Sequence, residues 1–229
     1  MISGIALGDV EAVIRYHSDT MNYAYSLDGK PIGLTPSELY GKGAQLAGVF
    51  GKAFQEQLLR DLLNGKVGGQ VIAGGWNKDA GELIHVPAYD FTFAPGRSVS
   101  ILALVVNDER VLVAHNAAVK ATIDYMEQNG VRMRVYVDGD RQYVSSDNLV
   151  VGLARHITNR DGEPHLHTHG IIFNMTYDAA AGKWRALDLR KLEELRVKQE
   201  LDRVYQTFLG DALEMLKYPV LRNEGVRHA

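Results

Sequence analysis

The sequence predicts an α+β domain in which a central, mainly antiparallel sheet is flanked by helices. Three observations predict it. Two long stretches, Glu109–Gly130 and Leu189–Leu216, have helical character; β-branched and aromatic runs recur at Tyr89–Phe93, Val131–Val137, Gln142–Ser145, Asn148–Ala154 and His165–Thr176; and a turn at Asp138-Gly139-Asp140 joins two of those runs as neighbours. At 229 residues the chain suits one domain with a substantial core, residues 1–229.

In chain order, Met1–Leu7 reads as a short strand and Gly8-Asp9 as the turn that caps a helix from Val10 to Met21. Tyr16 lies on that helix, with Tyr23 and Tyr25 just beyond it. Gly and Pro between Asp28 and Pro36 mark a loop, Pro36-Ser37-Glu38 reads as a helix start, and Gly41-Lys42-Gly43 as the turn after it. Ala53–Leu63 repeats apolar residues at helical spacing and stops at Asn64-Gly65. Ser98–Val106 fits helix or strand by periodicity alone, and Leu189–Leu216 has one candidate break at Gly210.

Hydrophobic residues make up 46% and charged residues 23%, the balance of a globular protein rather than a disordered or fibrous one. The absence of cysteine excludes disulfides, thiolate metal sites and cysteine nucleophiles. The longest apolar runs are too short to span a bilayer and the first residues lack a signal core, so a cytoplasmic location is the default. A net charge of −3 argues mildly against a nucleic-acid partner but allows a local basic cleft. Without a Gly-rich loop ending in Gly-Lys-Ser or Gly-Lys-Thr, no nucleotide cofactor is expected.

The most informative stretch is Glu163-Pro164-His165-Leu166-His167-Thr168-His169-Gly170. On a strand, His165, His167 and His169 emerge on one face, and His156 at the end of the preceding strand is a natural further ligand. Four histidines within fourteen positions favour a metal site over four hydrogen-bonded side chains. Three imidazoles leave coordination positions open, as a working site requires. The spacing alone leaves open which three bind, and ligand preference favours zinc, nickel, copper, iron or manganese over magnesium. Asp90, within an aromatic strand, is the candidate carboxylate to orient a ligand imidazole. Arg97 and Arg155 are candidate phosphate contacts, and Trp184 and Trp76 are candidate stacking surfaces with core packing as the alternative.

Gly152-Leu-Ala-Arg-His156 followed by His165-Leu-His-Thr-His-Gly-Ile-Ile-Phe-Asn-Met-Thr176 resembles the histidine motif of conjugative DNA relaxases of the MobF class, members of the His-hydrophobic-His endonucleases. Asp90-Phe-Thr-Phe-Ala-Pro-Gly-Arg-Ser-Val-Ser100 is similar to that family's Asp-Leu-Thr-Phe-Ser-Ala-Pro-Lys-Ser-Val-Ser, and Gly41-Lys-Gly-Ala44 and Trp184-Arg-Ala-Leu187 match in the same order. The resemblance implies a palm like that of relaxases and replication initiators, with His156, His167 and His169 as metal ligands, Asp90 beside them, and Lys42, Arg97, Arg155 and Arg185 toward DNA. His165 stays near the site but off the ion. The family carries two pairs of adjacent tyrosines; here the pairs are broken into Arg15-Tyr16 and Tyr23-Ala24-Tyr25. Tyr16 is then the expected nucleophile, with Tyr23 or Tyr25 a second one or a packing residue.

The implied activity is strand-specific nicking and strand transfer through a 5′-phosphotyrosine, initiating conjugative plasmid transfer in a bacterium. The expected cofactor is a divalent metal, Mg or Mn in use, with Zn, Ni or Co able to occupy the site. The expected partners are single-stranded DNA at an origin of transfer and relaxosome accessory proteins. Members of the class are often fused to a helicase, so the chain reads as the N-terminal domain of a longer relaxase–helicase. Two rival readings are a hydrolase using metal-bound water and a DNA-binding module without catalysis.

Overall fold

The computed structural model describes residues 2–18, 37–72, 75–77, 82–84, 86–159, 161–188, 190, 192 and 194–221. Strand β1 (Ile2–Leu7) leads into helix α1 (Val10–Ser18), whose first turn is capped by Asp9 Oδ1, 3.0 Å from Ala12 N. Then come β2 (Ser37–Tyr40), α2 (Lys42–Leu46), α3 (Glu56–Leu63), the small strands β3 (Lys66–Val67), β4 (Gln70–Val71), β5 (Gly75–Asn77) and β6 (Glu82–Ile84), and β7 (Ala88–Phe93). Helices α4 (Arg97–Leu104) and α5 (Glu109–Asn129) precede β8 (Arg132–Val137), β9 (Asp140–Ser145), β10 (Val151–Thr158), β11 (Pro164–Phe173), β12 (Thr176–Asp178) and β13 (Lys183–Arg185). Helix α6 (Leu195–Met215) follows.

Five strands form the central sheet in the order β1-β7-β11-β10-β2, every neighbour antiparallel. Its three middle strands are almost wholly buried, so side-chain alternation separates two cores. Phe91, Phe93, Val151, Leu153, Leu166 and Ile172 pack with α4, α5 and α6. Ala88, Val150, Ile171 and Phe173 pack on the opposite face with α1, α2 and α3.

Several boundaries differ from the sequence reading. Ser37–Tyr40 is an edge strand paired with Val151–Ala154, not a helix start, because pairing to β10 overrides the local Pro-Ser-Glu signal. The turn after it is a short helix, α2, entered through Gly41 at φ +99; a Cβ there would lie 2.5 Å from the Leu149 carbonyl oxygen. Ser98–Val106 resolves as helix, and α6 continues unbroken through Gly210, whose neighbours Leu209 and Leu213 are buried. The Asp138-Gly139 turn joins β8 to β9 as expected, with both residues at positive φ. The short hairpins β3–β4 and β5–β6 had no signal beyond glycine content.

Candidate active site

The site lies where β7, β10 and β11 run side by side on the α1 face. His156 and His167 stand directly opposite in the β10–β11 register, and His169 follows His167 on the same face. One donor atom from each of His156, His167 and His169 falls within 4.8 Å of the others. All three residues are buried, at 4%, 8% and 8% exposure, so the imidazoles converge away from bulk water. Burial pushes His156 down to about 3 and His167 to about 4, which keeps both neutral and able to ligate at pH 7.

Hydrogen bonds set two of the ring tautomers. Asp90 Oδ2 lies 2.6 Å from His169 Nδ1, so that nitrogen donates to the carboxylate and Nε2 is the one left to face the site. His167 Nδ1 lies 3.0 Å from the His165 carbonyl, with the same consequence. Asp90 Oδ1 is buried without a hydrogen-bond partner, a further acceptor available at the site. Three buried imidazoles, two of them with one ring nitrogen already engaged by an outer acceptor, form a donor set that fits a divalent transition metal. His165 is only partly buried, its ring 5.0 Å from that of His167, and it is outside the converging group.

Tyr16, on α1, reaches the same point. Its hydroxyl is 3.4 Å from His169 Nε2, and its ring centroid is 5.4 Å from that of His156 and 5.5 Å from that of His169. The residue is 52% exposed, so a large ligand can meet the hydroxyl from solvent. Val13 and Ile14 hold α1 on the sheet. His17 is the site neighbour that sequence reasoning missed: 4% exposed, edge-on to Tyr16 at 4.9 Å, and 5.5 Å from the His169 ring. Its signal was present, since Val10, Val13, Ile14 and His17 repeat at helical spacing. Phe54 buttresses His17 at 6.2 Å and lies over Gly152, where a Cβ would be 2.7 Å from the Phe54 ring.

A family model described as TrwC relaxase matches residues 11–228. The chain belongs to the TrwC relaxase family. The multifunctional conjugation protein TraI of Escherichia coli strain K12 is 32% identical over 215 residues, and a second Escherichia coli TraI is 31% identical. Each alignment takes in 89% of this chain, which spans only 11% of the length of those relatives. A metal-bound structure of the conjugative relaxase TrwC with oriT DNA superimposes with a TM-score of 0.82 at 30% identity, covering 98% of this chain and 73% of that one. TrwC complexed with a 27-mer comprising its recognition hairpin and cleavage site gives a TM-score of 0.79 at 30% identity, covering 98% and 72%.

The remaining expected residues of this TrwC-family chain are dispersed. Arg97 is exposed at the start of α4, whose Ser100 Oγ accepts from Leu166 N at 3.2 Å, so it stands at the histidine end of β11. Arg155, expected at DNA, is 6% exposed and faces α5 across a small cavity lined by Glu38, Asn116 and Lys120; the alternation that presents His156 turns its neighbour away. Lys42, 3.8 Å from Asp147, and Arg185, bonded to Asp178 at 2.6 Å, belong to the other end of the central strands. Trp184 is 8% exposed and packs edge-on against Tyr177 at 5.4 Å, which makes it a core residue. Tyr23, Tyr25 and the Trp76 side chain lie outside the described residues.

Proposed function

We propose that this chain nicks and rejoins single-stranded DNA at an origin of transfer, with Tyr16 as nucleophile. The observation that carries this reading is the Tyr16 hydroxyl 3.4 Å from His169 Nε2 within the histidine triad. The TrwC structures that superimpose on the chain are complexes with oriT DNA, which supports the choice of substrate.

His156, His167 and His169 would hold a divalent ion, and an ion held there would supply Lewis-acid stabilisation of negative charge on the phosphate. Mg or Mn is our choice of working ion. Asp90 keeps His169 in one tautomer and one orientation. Tyr16 supplies the attacking oxygen: its bond to phosphorus forms as the bond from phosphorus to the 3′ oxygen breaks. The phenolic proton leaves to the solvent that the ring meets, and the departing 3′ oxygen takes one up. The product is a 5′-phosphotyrosine, whose retained phosphodiester energy lets the reaction run backwards to reseal the strand. An unperturbed phenol ionises near 10, so the electrostatics of the site must favour loss of its proton. His17, itself backed by Phe54, packs edge-on against the ring of Tyr16. Relaxosome accessory proteins and a cytoplasmic setting belong to the same reading; among the described residues no helix is long and apolar enough to cross a membrane.

Single-stranded oligonucleotides tiled across the origin-of-transfer region of the DNA that encodes the chain, incubated with protein and Mn or Mg, should yield a covalent adduct on a denaturing gel. Tyr16→Phe and chelation should each abolish it. An adduct formed by Tyr16→Phe at the wild-type rate would reassign the nucleophile, and strand cleavage without adduct would favour metal-activated water.

A further inference from the structure

The β8–β9 hairpin has two unlike faces. Its register, Arg132↔Ser145, Arg134↔Tyr143 and Tyr136↔Arg141, puts three arginines and two tyrosines on one side. Met133, Val135 and Val137 alternate to the other, where Val135 is 8% exposed. Arg190 joins the first face: its guanidinium lies 5.3 Å from the centroid of the Tyr143 ring, as does that of Arg132. This face is open, with Tyr136 59% exposed and the side chains of Arg132 and Arg190 41% and 69% exposed. Asp188 serves both Arg132 and Arg190, at 2.9 and 3.5 Å, and Asp138 and Asp140 sit at the turn beyond. Arg132, Arg134, Arg141 and Arg190, set against Asp188 and the two turn aspartates, leave the hairpin with a small cationic excess on a chain whose net charge is −3.

We propose that this Arg/Tyr face binds single-stranded DNA, as a second contact remote from the histidine site. Guanidinium groups meet phosphates, and the exposed Tyr136 ring offers a platform for a base, the two requirements of sequence-tolerant strand binding. The hairpin is fixed to the body: Arg134 N donates to the Ala186 carbonyl and Asp188 N to the Arg132 carbonyl, each at 2.9 Å. It joins β10 at the Val151 end, and the five-residue step from there to His156 covers ~16 Å at about 3.3 Å per residue. A strand held at both places must therefore be longer than one that fills the histidine site. The inference rests on the proposed DNA-processing role for its choice of ligand, while its residues are separate from that site.

The test is fluorescence anisotropy with oligothymidylates of about 10 and about 30 nucleotides across a salt series. Wild type should bind the longer strand more tightly than length alone provides. Arg134→Ala with Arg141→Ala should weaken the longer complex about tenfold and reduce the magnitude of its salt slope by roughly 1.4, two phosphate contacts' worth. Tyr136→Ala should weaken it with the salt slope unchanged, and circular dichroism checks that each variant is folded. Equal affinities for wild type and the arginine pair would overturn the inference, as would a hairpin-dependent preference for duplex over single strand. Covalent adduct formation is scored separately: a missing adduct with hairpin-dependent binding intact sinks the nicking role alone, and an adduct with hairpin-independent binding sinks the second contact alone.

Discussion

Asp90 illustrates how one residue conditions a site it does not complete. Its Oδ2 accepts from His169 Nδ1 at 2.6 Å, and Thr92 Oγ1 lies 3.3 Å from the same nitrogen. An asparagine at 90 keeps the volume but offers a weaker, uncharged acceptor that can also present its amide. Asp90→Asn should therefore lower divalent-metal affinity by about 10- to 100-fold, measured by calorimetric titration with Mn, while leaving the thermal midpoint of the metal-free protein little changed. An unchanged metal affinity would remove Asp90 from its orienting role. At this scale much was legible in the sequence. Alternate histidines on a strand share a face whatever the tertiary structure, so the common side of His165, His167 and His169 was readable, while which of them meet His156 was not. His17 was signalled only as part of the apolar stripe of α1, with nothing to tie that stripe to the histidines, and Thr92 likewise reaches the site through the docking of its element rather than through spacing near them. Arg155 was a candidate for phosphate because it neighbours His156, and strand alternation turns its side chain to the opposite face.

Elements are tied together by a few buried polar groups, and Glu127 is the plainest. From the C-terminal part of α5, its Oε1 accepts from Lys42 N and Leu149 N, both at 2.8 Å, and so holds the start of α2 against the segment that enters β10. Burial raises its pKa, while the two backbone donors oppose that rise. Glu127→Ala should destabilise the fold by about 2–4 kcal/mol, because the buried Leu149 N–H loses its acceptor; urea unfolding measures it. Glu127→Gln, which keeps a carbonyl oxygen, should recover part of the loss. Long periodic helices and β-rich runs were readable because many residues vote for them. Ser37–Tyr40 was not, since four residues on a sheet edge take their conformation from β10, and Gly210 looked like a break because a sequence does not display the packing of Leu209 and Leu213 around it.

Across the whole molecule, the face opposite the histidines is organised around His115. It is fully buried on α5, with Nδ1 2.8 Å from Tyr205 Oη and Nε2 2.8 Å from Thr168 Oγ1, linking α5 to α6 and to β11. Burial depresses its pKa from 6.5 to about 3. Between those values the unfolded chain binds a proton that the native chain refuses. The stability from neutral His115 is thus complete above about pH 6.5 and falls as pH drops toward 3, by at most about 1.4 kcal/mol per pH unit. Metal-free protein should lose further stability over the same window from His156 and His167, both depressed by burial. Urea midpoints at pH 7 and pH 4.5 measure the sum, and a saturating divalent ion should raise the midpoint at pH 7 through its preference for the native state. A midpoint that does not move between the two pH values would mean that these buried histidines take up protons in the native state as readily as in the unfolded one.

The facing pair His156↔His167 carries an evolutionary consequence. Because side chains alternate, inserting or deleting one residue within β10 or β11 would carry every later imidazole to the face packed by α4, α5 and α6 and bring Arg155 or Thr168 to the other. A change of length in the 159–163 connection would leave both strands in phase. Length variation among descendants of this sequence should therefore collect in that connection, with β10 and β11 held to a fixed residue count even where their apolar side chains drift.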